Sequence, residues 1–251
     1  MRVLITNDDG INAPGLQVLR DVAAQIASEV WVVAPETDQS GLSHSLTLND
    51  PLRLRKIEDK VYALRGTPTD CVIMGIREVL PETPDLVLTG INSGQNISDD
   101  VTYSGTIAAA MEGTMLRVPS IALSQSYDWT SGNEIPWNVA RDHSVEIIQK
   151  VLAKGIAPNI LVNINFPSCA SDKVEGVKIA TQGALTHGLF LDKRDDARGN
   201  PYYWLTYRRQ PQAVVEGTDL DALEKNFISL TPLKMNLTAE NEFDRYADLA
   251  D

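Results

Sequence analysis

Cysteine is nearly absent: Cys71 and Cys169 are the only two in 251 residues. Two cysteines build neither a disulfide framework nor a four-ligand zinc site, and they suit a reducing, cytoplasmic setting. Histidine is almost as scarce. His44, His143 and His187 show no close metal-ligand spacing. Positive charge is also in short supply, with 22 Lys and Arg against 34 Asp and Glu and a net charge of −12. An acidic surface repels a phosphodiester backbone, which counts against a nucleic-acid polymer as partner. It does not count against a small phosphorylated ligand, because one bound cation inverts the local field. No apolar run is long enough to span a membrane. Acids as early as Asp8 and Asp9 argue against a signal peptide.

Several motifs are missing too. There is no G-x-x-x-x-G-K-[ST] loop and no G-x-S-x-G elbow, and Gly10 to Gly15 does not match G-x-G-x-x-G. Cys71 and Arg77 have the spacing of a cysteine-phosphatase loop. The residues between them are mostly apolar and helical in pattern, so they do not supply free N–H groups to wrap a phosphate. No internal repeat or low-complexity tract interrupts the chain.

What is there is a chain of ordinary composition, 43% hydrophobic and 22% charged, long enough for one large domain or a domain with an arm. Val3-Leu4-Ile5 is a short apolar run that ends in the turn signal Asn7-Asp8-Asp9-Gly10. Leu16, Leu19, Ala23 and Ile26 then share one helical face, and Val30 to Ala34 is a second apolar run. Strand, helix, strand with continuous apolar strands predicts a βαβ unit in a parallel sheet buried on both faces.

The pattern continues with strands at 61–64, 85–88, 120–123 and 160–164, and helices at 69–80 (capped by Thr67 or Thr69), 105–116 and 138–153. The fold class is therefore α/β, an open, doubly wound, mostly parallel sheet over residues 1–176. The texture changes over 177–251. Val177 to Ala180 and Phe227 to Leu230 read as strands. The charged, turn-rich stretch from Asp192 to Pro201, followed by the aromatic Tyr202 to Tyr207, reads as a hairpin arm.

In open α/β sheets, ligands sit beyond the carboxyl ends of the strands. Asn7, Asp8 and Asp9 follow the first strand, and Asp38, Gln39, Ser40 and Gly41 the second. Asn92, Ser93, Gly94, Gln95 and Asn96 follow the strand at 85–88. All are oxygen donors, the ligand type that Mg²⁺ and Mn²⁺ prefer. Taken alone, Asp8-Asp9-Gly10 is more often a plain turn or a capping cluster. Two further oxygen-rich strand ends shift the balance to a metal site. Ser104-Gly105-Thr106 opens a helix of small residues, and free N–H groups at a helix start suit a phosphate, with an ordinary Ser/Thr cap as the competing reading. His44, near Ser40 in sequence, reads either as lining this rim or as a solvated loop residue.

These stretches resemble the SurE (stationary-phase survival) family of metal-dependent 5′/3′-nucleotidases. The match runs through Thr6 to Gly10 with Ala13-Pro14-Gly15, Val33-Ala34-Pro35 with Gln39-Ser40-Gly41, and Gly66-Thr67-Pro68 with Asp70-Cys71-Val72. It continues through Gly90-Ile91-Asn92, Gly94-x-Asn96, Asp100-Val101, Tyr103 to Thr106, Asn163 to Pro167 and Gly217-Thr218-Asp219. The resemblance implies one divalent cation per subunit, Mg²⁺ or Mn²⁺, held by Asp8, Asp9, Ser40 and Asn92. It implies a phosphate among Asn96, Ser104, Gly105 and Thr106, and catalysis by Asp8, Asp9, Asn96 and Ser104. It further implies a single Rossmann-like domain whose C-terminal arm is exchanged in a homodimer or homotetramer, and nucleoside monophosphates as substrates, with short-chain polyphosphate for some members. Ser98 and Thr69 stand where the family often has glycine and alanine. The expected function is thus hydrolysis of a nucleoside monophosphate. A cation-assisted nucleotide-binding module and a phosphatase of another metabolite are the alternatives.

Overall fold

Val3, Leu4 and Ile5 are all fully buried, which makes the strand that carries them an interior one covered on both faces. In the computed structural model, which describes residues 1–128, 132, 134–184, 187–209 and 213–249, this strand is β1 (Arg2–Thr6). It is followed by α1 (Pro14–Ile26), β2 (Glu29–Pro35), β3 (Arg53–Glu58), β4 (Val61–Arg65) and α2 (Pro68–Met74). Then come β5 (Leu86–Ser93), α3 (Gly105–Met115), β6 (Ser120–Gln125), α4 (Trp137–Lys154), β7 (Ile160–Phe166) and β8 (Gly176–Ile179). The chain continues through β9 (His187–Asp195), β10 (Pro201–Arg209), α5 (Asp219–Glu224) and β11 (Phe227–Lys234).

The main sheet has nine strands in the order β3-β4-β2-β1-β5-β6-β7-β11-β8. The run from β4 to β7 is parallel. Only the β3–β4 and β7–β11 pairs are antiparallel. This is the mostly parallel α/β sheet read from the sequence. From β1 the chain steps outward to β2 and β4, then returns to β5 on the other side of β1. The switch point of the topology therefore lies between β1 and β5, where such folds open a crevice at the strand ends.

Alternation along β1 divides the core. Val3 and Ile5 pack with Leu16, Leu19, Val139 and Ile148 under α1 and α4, while Leu4 packs with Val33, Leu64, Cys71 and Ala109 under α2 and α3.

Three elements depart from the sequence expectation. The helix expected over 69–80 ends at Met74 and passes into a π turn, Gly75–Val79, closed by Leu80 N–H on Gly75 O at 2.9 Å. A Cβ on Gly75 would lie 2.8 Å from Leu4 Cδ2, so the start of this turn sits directly against β1. Thr67, not Thr69, caps α2 in a capping box with Asp70. The strand expected over 85–88 runs on to Ser93, with an irregular register against β6 between Thr89 and Asn92. β3 carries no buried residue and no apolar alternation, and it forms a charged sheet edge that hydropathy does not mark.

The segment after Gly176 divides. β8 and β11 join the main sheet, and β9 pairs with β10 in a separate antiparallel hairpin. Leu191, Trp204 and Leu205 on the hairpin are 65%, 60% and 70% exposed.

Leu4 is the hinge of the second half-core, so Leu4→Ala is expected to cost about 3 kcal/mol, read as a lower urea midpoint at unchanged slope.

Candidate metal and phosphate site

The turn after β1 is shaped by its own side chains. Asn7 Nδ2 donates to Gly10 O at 3.0 Å, and Gly10 has a φ of 100°, the left-handed region that lets the chain reverse immediately after the acids. Asp8 and Asp9 consequently leave the strand in a bend rather than on opposite faces of a regular strand. The loop after β2 lies on this turn: Gln39 N–H donates to Asp8 O at 2.8 Å. Ser40, the next residue, is exposed and donates from both N and Oγ to Asp38 Oδ1, at 2.8 and 2.6 Å. From the other side, the end of β5 supplies Ser93 N–H to Asp9 Oδ2 at 3.0 Å. Asn92 Nδ2 is held on Gly94 O at 2.8 Å, which leaves its Oδ1 as the atom for a cation. The loops carrying Asp8, Asp9, Ser40 and Asn92 thus meet at the switch point between β1 and β5.

The start of α3 reaches the same point. Gly105 lies so close that a Cβ there would sit 2.9 Å from Asp8 Cβ and 3.2 Å from Asp8 Oδ2. The Thr106 hydroxyl, fully buried, donates a short hydrogen bond to Asp8 Oδ1. Thr106 therefore faces the carboxylate, and what the helix start retains for a phosphate is the Gly105 N–H and the Ser104 hydroxyl proton. Ser104 Oγ accepts from Ile107 N–H at 3.1 Å as the cap of α3, so its proton remains to be donated.

Asn96 is fixed from β6 and β7. Its Nδ2 donates to Ser124 Oγ at 2.9 Å, and Ser124 is the register partner of Asn92. Its backbone N–H donates to Asn165 Oδ1 at 2.8 Å. Its carbonyl accepts from Asn163 Nδ2 at 2.8 Å and from Asn165 Nδ2 at 3.1 Å. One amide proton of Asn96 is left for a ligand.

The electrostatics of the acids are unusual. Burial pushes the Asp8 carboxyl up, against the Thr106 hydrogen bond, and Asp38 pushes the same way. Asp9 is pushed up to about 6, by burial first and then by the charges of Asp8 and Asp38. No Lys, Arg or His among the described residues offsets either charge. Asn7 Oδ1, one residue before Asp8, is buried without a hydrogen-bond partner. A divalent cation would offset the charge of both carboxylates, and the donors around them are the oxygen types a hard cation takes. Among the described residues no three His, Cys, Asp or Glu side chains form a metal-binding group. A cation here would therefore rely on two carboxylates, a hydroxyl, an amide oxygen and water.

Other sequence candidates lie elsewhere. His44 Nε2 sits 3.1 Å from Glu112 Oε2, pinning the loop after β2 to α3. Cys71 is buried, and burial pushes its thiol well up, so it is no nucleophile. The residues that sequence reasoning missed are supporting ones: Thr106 as the partner of Asp8, Ser93 N–H on Asp9, and Asn163 with Asn165 behind Asn96. Two asparagines at alternate positions of the otherwise apolar β7 were the available signal for the last pair.

Comparison with known proteins assigns the family. The family model "Survival protein SurE" matches residues 3–188. The chain belongs to the SurE family. A relative from Brucella anthropi named 5′-nucleotidase SurE is 55% identical over 240 residues, covering 95% of this chain and 93% of that protein. A 5′-nucleotidase SurE from Methylobacterium nodulans is 53% identical over 251 residues, covering 99% of both. The crystal structure of the SurE protein from Aquifex aeolicus superposes with a TM-score of 0.87 at 38% identity, covering all of both chains.

A carboxyl whose pKa is raised on folding keeps its proton longer in the folded chain, so stability falls as pH rises from about 4 to about 6. In EDTA, Asp9→Asn is expected to be more stable than wild type at pH 7.5 by on the order of 2–3 kcal/mol, with the gap closing near pH 4. Thermal melts across that range measure it. A gap that does not change with pH would show that Asp9 is not desolvated.

Proposed function

We propose that this SurE-family chain is a divalent-metal-dependent nucleotidase that hydrolyses nucleoside monophosphates to nucleoside and phosphate. The observation that carries the reading is the close approach of the α3 start, through Gly105, to the buried Asp8, whose carboxylate and that of the half-buried Asp9 beside it have no basic partner among the described residues. An oxygen-rich cation site and a helix N-terminus side by side suit a phosphoryl group and little else. Relatives named 5′-nucleotidase at 53–55% identity over nearly the whole chain support the substrate class.

Asp8 and Asp9 would hold Mg²⁺ or Mn²⁺ with Ser40 Oγ and Asn92 Oδ1. A cation so bound supplies Lewis-acid charge for phosphoryl transfer. The free amide proton of Asn96, the Ser104 hydroxyl and the Gly105 N–H orient the non-bridging oxygens. Asp8 or Asp9 would also serve as base towards an attacking water, and the lower burial of Asp9 supports Asp9 in that role. Short-chain polyphosphate presents the same terminal group to these donors. The exposed apolar residues of the β9–β10 hairpin support a homodimer or homotetramer.

The test is release of phosphate from AMP with Mn²⁺ or Mg²⁺, with and without EDTA. Asp9→Asn should lower the metal-dependent rate by on the order of 100-fold or more. A folded variant that retained near wild-type turnover at saturating metal would refute the metal assignment. Ser104→Ala should reduce turnover or raise KM about tenfold with the metal activation constant unchanged, and an unaltered rate and KM would remove Ser104 from the site. Nucleotide binding without phosphate release in the wild type would favour a binding module instead.

A further inference from the structure

The loop that carries Asn96 is gripped a second time, two residues later. Ser98 has a φ of 54°, a conformation that serine rarely adopts and that persists where its surroundings over-determine it. Those surroundings come from the base of the hairpin. Ser98 N–H donates to Asp219 Oδ2 at 2.8 Å, and Ser98 Oγ donates to Asp219 Oδ1 at 3.2 Å. The carbonyl of Ser98 accepts from Gln182 Nε2 at 2.8 Å. Every polar group of Ser98 is thus bound by a residue at one foot of the hairpin or the other.

Asp219 joins the two feet. Its carboxylate also accepts Gly183 N–H at 3.0 Å and Leu220 N–H at 2.9 Å, and its own N–H donates to Thr181 O at 2.8 Å. An aspartate in the first turn of a helix ordinarily serves the N–H groups of that helix. Here only the Leu220 N–H belongs to α5. The other three donors come from Ser98 and Gly183. The side chain is fully buried, so each donor left without its acceptor would be an unmet buried group.

We propose that Asp219 and Gln182 are positioning residues of the phosphate loop: by fixing Ser98 from the feet of the hairpin they hold Asn96 with its free amide proton at the phosphate position. Asn163 and Asn165 set the Asn96 backbone from one side, and the hairpin base sets the other end of the same short segment. The proposal rests on the assignment of Asn96 to phosphate binding, and it adds a dependence on residues outside the loop.

The experiment is a double-mutant cycle on the full chain, with inhibition by inorganic phosphate, KM and kcat for AMP, and the Mn²⁺ activation constant as readouts. Asp219→Asn places an amide where four N–H or O–H donors converge. It should raise the phosphate inhibition constant and KM about tenfold, the scale of a sub-ångström to one-ångström misplacement, while the Mn²⁺ constant stays within about twofold. Gln182→Leu, at an exposed position, should act in the same direction by about threefold. In an Asn96→Ala background neither change should weaken phosphate binding further, because the group it positions is gone. A purely structural role would instead reduce the active fraction at constant KM and phosphate inhibition. That result, or losses that add independently of Asn96→Ala, would overturn the proposal. If Asp219→Asn does not fold, the Gln182→Leu cycle decides by the same criteria. Absence of metal-dependent turnover in the wild type, or an Asn96→Ala variant with unchanged phosphate inhibition, would overturn the functional reading itself. A wild type and Asn96→Ala that behave as expected, with an additive cycle, would overturn the hairpin-base proposal alone.

Discussion

Two neighbouring carboxylates at the end of β1, Asp8 buried and Asp9 half-buried, without a basic partner among the described residues, are the constraint around which the rest of this molecule is arranged. Burying one ionised acid is costly, and burying two in contact adds repulsion to desolvation. The surrounding chain reduces that cost with hydrogen-bond donors rather than with counter-charges: the Thr106 hydroxyl on Asp8 and the Ser93 N–H on Asp9. A Lys or Arg in their place would neutralise the acids and remove the reason for a cation to bind. Donors stabilise the carboxylates while leaving the negative charge in place, which is what a site for a removable cation needs.

The fold supplies this arrangement through topology. β1 lies at the centre of a parallel sheet, so its end opens at the switch point beside β5, and loops from both neighbours converge there. α3 is small-residued at its start for the same reason. With any side chain at position 105 the helix could not approach Asp8, and its N-terminal dipole would lie farther from both the acid and a phosphate.

The elements that carry continuous apolar runs were legible from sequence because burial on both faces leaves no other pattern. Val3 to Ile5, Val30 to Ala34 and Ile160 to Ile164 all lie in strands of the main sheet. β3 was not legible, since an edge strand with every residue exposed has no hydrophobic signature. The π turn after Met74 was hidden because it lies against Leu4, a contact between residues far apart in the chain that the local pattern does not show. At the site, the oxygen-rich strand ends announced the loops that meet. The supporting residues were silent: Thr106 read as a phosphate ligand because sequence shows which groups a helix start offers but not what they face. Asp219 read only as part of a Gly-Thr-Asp motif, because its partners lie 121 and 36 residues away.

The two feet of the hairpin lie side by side, joined by the bridge between Thr181 and Thr218. Everything between them is a closed loop hung on a fixed base. Loop-closure entropy grows only with the logarithm of length, about 0.6 kcal/mol for each doubling. The arm can therefore lengthen, shorten or change its surface at little thermodynamic cost to the sheet beneath it. Evolution is free to retune whatever this arm touches, so long as the residues at its root remain as they are.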